Sequence, residues 1–550
     1  MSVAAPDFVN IASTMEQRAA LTPHQRAVVF PEGRDRNGNV CWTHLTFQQL
    51  SRLTDAYARG FAAAGVQRGD RVSLLVKPCL EFIPLVFAIF KLGAVPVLID
   101  PGMGRKNFLR CIRHIRPRVL IGEPLAQIIR TVFRSAFASV EIAITNGPST
   151  WFWGGKTLAD CTVHADTPFP TVQTRPEDEA AILFTSGSTG PAKGVTYTHR
   201  IFDAQTRFIQ QMYDIEPGEI DLACFPLFGL FSMAMGMTVV IPDMDPTKPA
   251  QADPKKLIEA IEAHGCTSAF GSPAIWKNMA LYARENGIVL PSMRRILMAG
   301  APIPVWMHEA FQEIFTGQAE LHTPYGATES LPVATIGSHE VLQDTAARTR
   351  QGAGTCVGHP APGISIAIIQ ITDDPIATWD SQRCLPVGEV GEICVKGPQV
   401  THEYKEAPEQ TKAAKIAEGD AIWHRIGDLG YIDEQGRLWF CGRKSHRVTL
   451  SDGRLLFPVP CEGIFNEHPA VYRSALVGVN GTPVLVVELE AGVSIERDTL
   501  VAALLEIGAQ HEQTRSIQQV LIHPAFPVDV RHNAKIHRLQ LRDWAGQQLG

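Results

Sequence analysis

Between residues 71 and 99 the chain reads as strand, helix, strand, with no long loop between the elements. Residues 71–76 have strand character, residues 80–92 helical character, and residues 94–99 form a second apolar strand ending at the turn signal Asp100-Pro101. Before them, Leu53, Tyr57 and Phe61 recur at helical spacing within residues 52–64, and Gly65 marks a stop. Strands joined through a helix pair in parallel, and a parallel sheet needs helices packed on its faces. The alternation continues. Short apolar runs at 180–184, 238–241, 267–270, 294–298 and 320–322 have helix-like segments such as 255–263 and 305–314 between several of them. From residue 350 to 440 the pattern changes to strands and turns, with Glu434-Gln435-Gly436 as a hairpin turn. After the basic stretch 443–447 a new series begins: strands at 472–479 and 484–489, a helix at 500–507 and a strand at 519–522. The expected fold is α/β: a large N-terminal domain of βαβ-type sheets with a β-rich subdomain over residues 1–442, a connection at 443–447, and a small α+β domain over 448–550.

A chain of 550 residues exceeds one hydrophobic core, and its 45% apolar content is ample for several. The net charge of −6, with no run of five like charges, predicts no nucleic-acid partner. The 11 cysteines are scattered and form no CxxC pair, as expected of reduced thiols in a cytoplasmic protein. The N-terminus has no basic region followed by an apolar core, so no signal peptide is expected. Two long apolar stretches, 82–99 and 225–241, are interrupted by Lys91 and Gly93 and by Pro226, Gly229 and Gly236; neither is a transmembrane span.

The segment AAILFTSGSTGPAKGVTYTH, residues 180–199, carries the chemistry. A strand runs into Thr185-Ser186-Gly187-Ser188-Thr189-Gly190, followed by Lys193-Gly194. Glycines let successive backbone N–H groups converge on an anion, hydroxyls add donors, and Lys193 adds positive charge. These suit the phosphates of ATP. The string is not the P-loop of nucleoside triphosphatases, which needs G-x-x-x-x-G-K-[ST].

This loop resembles the signature of the adenylate-forming superfamily of acyl-CoA synthetases, peptide-synthetase adenylation domains and luciferases, and further motifs of that family follow in order along nearly the whole chain. Met298-Ala299-Gly300-Ala301-Pro302 resembles the segment bordering adenine, and Tyr325-Gly326-Ala327-Thr328-Glu329 the next motif. The resemblance implies that Gly300, Ala301 and Pro302 line the base, Tyr325 packs on it, Thr328 meets the α-phosphate and Glu329 holds Mg²⁺. Asp428 resembles the family's ribose-binding aspartate and Arg443 its arginine near ribose and phosphate. Lys535, in PVDVRHNAKIHR, resembles the lysine that the small domain brings to the adenylation site. A carboxylate attacking an α-phosphate joins two anions, so Mg²⁺, Lys193 and Lys535 would supply counter-charge. In the family the small domain pivots between half-reactions, here at 443–447.

Three motifs depart from the common family pattern: Ser445 stands two residues after the hinge arginine, Asn533-Ala534 before Lys535, and Gly229 after FPLF. These bear on thioester formation and leave the ATP site intact. The strings IDPGMGRKN (99–107), AFGSPAIW (269–276) and PVDVRHNAKI (527–536) are similar to a subgroup, the bacterial β-lactone synthetases of long-chain olefin biosynthesis. That resemblance implies a long-chain 2-alkyl-3-hydroxy acid whose own β-hydroxyl displaces AMP, and partner enzymes of the same pathway. His199, His402, His424, His446 and His532 lie near motifs as candidate bases, with none singled out. The Phe- and Met-rich stretch 225–240 suits an alkyl channel or plain core packing. An acyl-CoA synthetase, a carrier-protein loading enzyme and a non-catalytic nucleotide binder remain the alternatives.

Overall fold

The computed structural model describes residues 9–148, 151–185, 192–528 and 536–550. Two seven-stranded sheets form the body of the molecule. In the first, the order is Lys156–Thr157, Ile142–Thr145, Val119–Gly122, Arg71–Leu75, Val95–Ile99, Glu179–Thr185, Lys193–Thr198. All pairs are parallel except the last, where Thr185 faces Lys193 across a hairpin. In the second, the order is Glu320–His322, Arg295–Met298, Ser268–Gly271, Ile220–Ala223, Thr238–Val240, Arg26–Arg34, Val40–Thr46. Its first six strands are parallel, and the N-terminal hairpin closes its edge. That hairpin has no counterpart in the sequence reading.

The unit at 71–99 forms as expected. The helix Phe82–Lys91 ends before Gly93, whose φ of +65° a side chain would resist. Lys91, an interruption in the apolar stretch, is fully buried and paired with Glu16 and Asp55, which compensates its charge. The second apolar stretch folds into the short helix Gly229–Ala234 and the strand Thr238–Val240. Among the described residues no helix is long and apolar enough to cross a membrane.

An eight-stranded antiparallel sheet follows, running from Tyr325–Ala327 and Ser330–Thr335 through Thr355–Pro360, Leu438–Arg443 and Ala421–Ile432 to Gly391–Lys396 and Ser365–Ile369, with Lys415–Glu418 beside it. Beyond residue 443, a three-stranded sheet of Val471–Val479, Thr482–Leu489 and Gln519–Ile522 packs with the helices Pro458–Phe465, Arg497–Ala509 and Arg538–Leu549. Lys277 Nζ reaches this unit from the second sheet's layer, 3.3 Å from the Tyr472 hydroxyl. All 11 cysteines are free thiols.

Candidate active site

Parallel sheets place functional loops at the carboxyl ends of their strands. The strands Arg295–Met298 and Glu320–His322 are neighbours, and the segments after them are 299–302 and 325–329. Gly300 adopts φ +101°, a conformation that favours glycine, as the chain turns away from its strand. Ala299 N donates to Gly271 O at 3.2 Å, so this turn abuts the end of the strand Ser268–Gly271.

The third sheet contributes a second group of motif residues. Asp428 and Arg443 face each other in register across the hairpin with the Glu434-Gln435-Gly436 turn. Arg443 Nη1 lies 3.0 Å from Asp428 Oδ1, and the Tyr325 hydroxyl donates to Asp428 Oδ2 at 2.6 Å. Burial raises the Tyr325 phenol, and the Asp428 charge raises it further, so it stays a donor. Tyr325, Asp428 and Arg443, spread over three strands, are thus assembled into one contact.

Lys193 and Glu329 are joined through the segment 400–405, where the sequence singled out only His402. Val400 bridges Ser330, and Thr401 donates to the Glu329 carbonyl through both N–H (2.9 Å) and Oγ1 (3.1 Å). Four residues on, Tyr404 bridges Val195, and Lys405 N donates to Gly194 O at 2.7 Å. The segment 400–405 therefore pins the phosphate hairpin to the Glu329 turn. The Tyr404 hydroxyl donates to Glu329 Oε1 at 2.6 Å, while its ring carries the Lys193 ammonium at 4.8 Å and the Lys415 ammonium at 5.8 Å. Lys415 is buried and donates to Thr401 O and Oγ1. Burial lowers its ammonium to about 7, with Glu329 opposing and Lys193 adding to the shift. Thr328 is fixed through its carbonyl, which accepts from the Tyr197 hydroxyl at 2.5 Å. Tyr404 and Lys415 left no periodic or motif signal; Tyr404 is revealed by its contact with Glu329 across 75 residues, and Lys415 by its contacts with Thr401 and Tyr404.

Ser186, Gly187, Ser188, Thr189, Gly190 and Lys535 lie outside the described residues, as does the Thr185 side chain and the candidate base His532. The other candidate bases are constrained. His199 is buried, accepts from Ile11 N, and is lowered to about 4 by burial. His424 is buried against Ala414 O and lowered by burial and by Lys415. His446 is lowered to about 3 by burial, with Arg538 and Arg443 adding to it. His402 contacts Arg200 at 3.1 Å and is lowered by burial.

Beside the turn at 299–302 stands an aromatic wall. Phe228 stacks on Phe270 at 3.8 Å between ring centroids, with Phe225 and Phe231 against them. Ser272 follows the strand that carries Phe270, and its Oγ is buried without a hydrogen-bond partner among the described residues.

The donor set fits a metal that arrives with its ligand. Among the described residues there is no cluster of three or more potential ligands, and Glu329 is a single carboxylate. Mg²⁺ is commonly held by one or two carboxylates together with substrate phosphates and water.

Tyr325, Asp428 and Arg443 thus form one group, and Lys193 and Lys415 meet Glu329 through Tyr404 in another, the arrangement expected of an adenylating nucleotide site. The chain belongs to the AMP-binding enzyme family, which matches residues 15–405. Two curated relatives, both olefin beta-lactone synthetases, from Xanthomonas campestris pv. campestris and Stenotrophomonas maltophilia, are each 45% identical over 98% of this chain and 98% of their own. The solved structure of the amide bond synthetase McbA from Marinactinospora thermotolerans shares the fold, with a TM-score of 0.79 at 24% identity over 97% of this chain and 99% of that one.

Proposed function

We propose that this protein is an ATP-dependent β-lactone synthetase acting on a long-chain 2-alkyl-3-hydroxy acid. The observation that carries the reading is near full-length 45% identity to two olefin beta-lactone synthetases, supported by the contacts that join Tyr325 to Asp428 and Tyr404 to Glu329.

In the first step a carboxylate oxygen of the acid attacks the α-phosphorus of ATP, and pyrophosphate leaves. Asp428 holds the ribose hydroxyls, Tyr325 lies against the base, and the turn 300–302 borders it. Lys193 and Lys535 offset charge as the two anions meet. Mg²⁺, held by Glu329 and the phosphates, would neutralise phosphate oxygen charge. Tyr404 and Thr401 fix the position of Glu329. In the second step the β-hydroxyl oxygen attacks the acyl carbon, the bond to the AMP oxygen breaks, and the hydroxyl proton is released. Nucleophile and electrophile share one chain, so proximity replaces an external thiol. Ser272 Oγ, buried without a hydrogen-bond partner among the described residues, would orient that hydroxyl. The wall of Phe225, Phe228, Phe231 and Phe270 would take the alkyl chains. The small domain after 443–447 is the part that would bring Lys535 to the site, and a cytoplasmic setting with partner enzymes of the same pathway fits the free thiols and the relatives.

An analogue lacking the β-hydroxyl tests the reading. It is expected to release pyrophosphate once and stall as the bound acyl adenylate. Turnover of that adenylate on adding coenzyme A would make the protein a thioester-forming ligase instead.

A further inference from the structure

We propose that the surface formed by the helices Arg105–Ile115 and Pro124–Val132 docks on an anionic phospholipid membrane. The helix Pro124–Val132 is apolar on two faces. Its inner side contributes Ala126 and Ile129 to the protein, but Leu125, Ile128 and Val132, at i, i+3 and i+7, point outward, with Leu125 62% and Val132 63% exposed. Single exposed leucines are ordinary; a full apolar stripe is not. The chain on either side of Trp151 and Phe152 is anchored along the same helix. A Cβ at Gly147 would meet Pro124 Cδ at 3.6 Å, and Arg130 Nη2 donates to Trp153 O at 2.6 Å. Trp151 is 93% exposed and Phe152 57%.

Charge identifies the occupant. The chain carries a net charge of −6, yet residues 101–134 contain eight lysines and arginines and one acid, Glu123. Arg116 and Arg118 are consumed by ion pairs with Glu406, Asp70 and Glu141. Arg105, Lys106, Arg110 and Arg113 are exposed, and none is paired with a carboxylate among the described residues. They lie on the outer side of a helix whose inner side, Leu109, Ile112 and Ile115, shares a core with Ile129 and Phe133. The Arg105 guanidinium sits 5.8 Å from the Phe133 ring centroid, which joins the basic and apolar strips. A stripe of aliphatic and aromatic side chains bordered by unpaired cations is the pattern of a helix lying in the plane of an anionic bilayer. A protein partner's face would not need so one-sided a charge. Collecting a lipid substrate there rests on the proposed function; the binding itself does not.

The test is sedimentation of the full chain with vesicles of phosphatidylcholine alone or mixed with phosphatidylglycerol, without substrate. The protein is expected to co-sediment with the phosphatidylglycerol vesicles and to be released by salt. Leu125→Ser/Ile128→Ser/Val132→Ser and Arg110→Glu/Arg113→Glu should each weaken binding about tenfold or more, with ATP–pyrophosphate exchange unchanged in both. Equal behaviour with both vesicle types, or variants that bind like the parent, would overturn the proposal. So would self-association or capture of a protein partner that these substitutions abolish while vesicles stay unbound.

Discussion

The Tyr404 hydroxyl donates to Glu329 Oε1 at 2.6 Å across 75 residues of sequence, and the same ring carries the Lys193 ammonium on its face. One aromatic side chain thereby sets the distance between the phosphate hairpin and the carboxylate proposed to hold Mg²⁺. A hydrogen bond to a charged group contributes ~1.5–3 kcal/mol. Tyr404→Phe keeps the ring and loses the bond. ATP–pyrophosphate exchange at limiting Mg²⁺ should fall about tenfold, with most of the loss recovered at saturating Mg²⁺. An unchanged Mg²⁺ dependence would separate Tyr404 from the metal.

Tyr325 and Asp428 give a graded pair. Asp428→Ala removes the proposed ribose acceptor and leaves Tyr325 and Arg443 without their carboxylate. The KM for ATP should rise about 30-fold, while Tyr325→Phe, which removes one donor, should raise it about fivefold. Steady-state kinetics at saturating acid reads both. Equal effects from the two variants would contradict the arrangement.

Much of this framework was legible in the sequence, for definite reasons. The strand Glu320–His322 and the helix Val305–Ile314 fall where apolar spacing put them, because each buries a single regular face. The helix Phe47–Ala63 begins five residues before its apolar rhythm, because a capping box of Thr46 and Gln49 satisfies its first N–H groups. The strand Gly391–Lys396, within the strand-and-turn region 350–440, pairs antiparallel with Ser365–Ile369 and Ala421–Ile432. The N-terminal hairpin was missed because its partner is the strand Thr238–Val240, some 200 residues away in sequence. The site residues were proposed from short motif strings, because nucleotide chemistry needs particular residues in a fixed order, and of these Tyr325, Asp428 and Arg443 meet in one contact. Tyr404 and Thr401 left no such signal, since they act through contacts with Glu329 that form only once separate parts of the chain meet, and Lys415 is placed by its contacts with those two residues.

Asp221 predicts a pH effect on stability. Its carboxyl is buried in the second sheet, hydrogen-bonded by Ser232 Oγ at 2.7 Å, and raised to about 7 by burial, with Ser232 and Arg295 opposing and Glu219 adding to the shift. The folded value exceeds the ordinary carboxylate value, so the folded state keeps a proton that the unfolded chain releases. That contribution is fully present at acid pH and is lost as pH rises from about 4 to about 7, on the order of 4 kcal/mol in all. Asp221→Asn should flatten the Tm profile over that window. A profile that keeps the parent's slope would place the proton elsewhere.

Ser272→Ala addresses the second half-reaction. The Ser272 Oγ has no hydrogen-bond partner among the described residues, and Ser272 follows Gly271, whose carbonyl accepts from Ala299 N in the turn at 299–302. The variant should exchange pyrophosphate at the parent rate but form lactone about tenfold more slowly, as expected for one lost orienting hydrogen bond. Equal losses in both readouts would assign Ser272 to folding or acid binding.

The central claim is that one chain both activates the acid and closes the ring. Incubating the protein with ATP, Mg²⁺ and a long-chain 2-alkyl-3-hydroxy acid, without coenzyme A, and identifying the organic product by NMR tests it most directly. The account predicts a β-lactone formed in step with AMP. An acyl adenylate that accumulates and turns over only when coenzyme A or a carrier protein is added would contradict it.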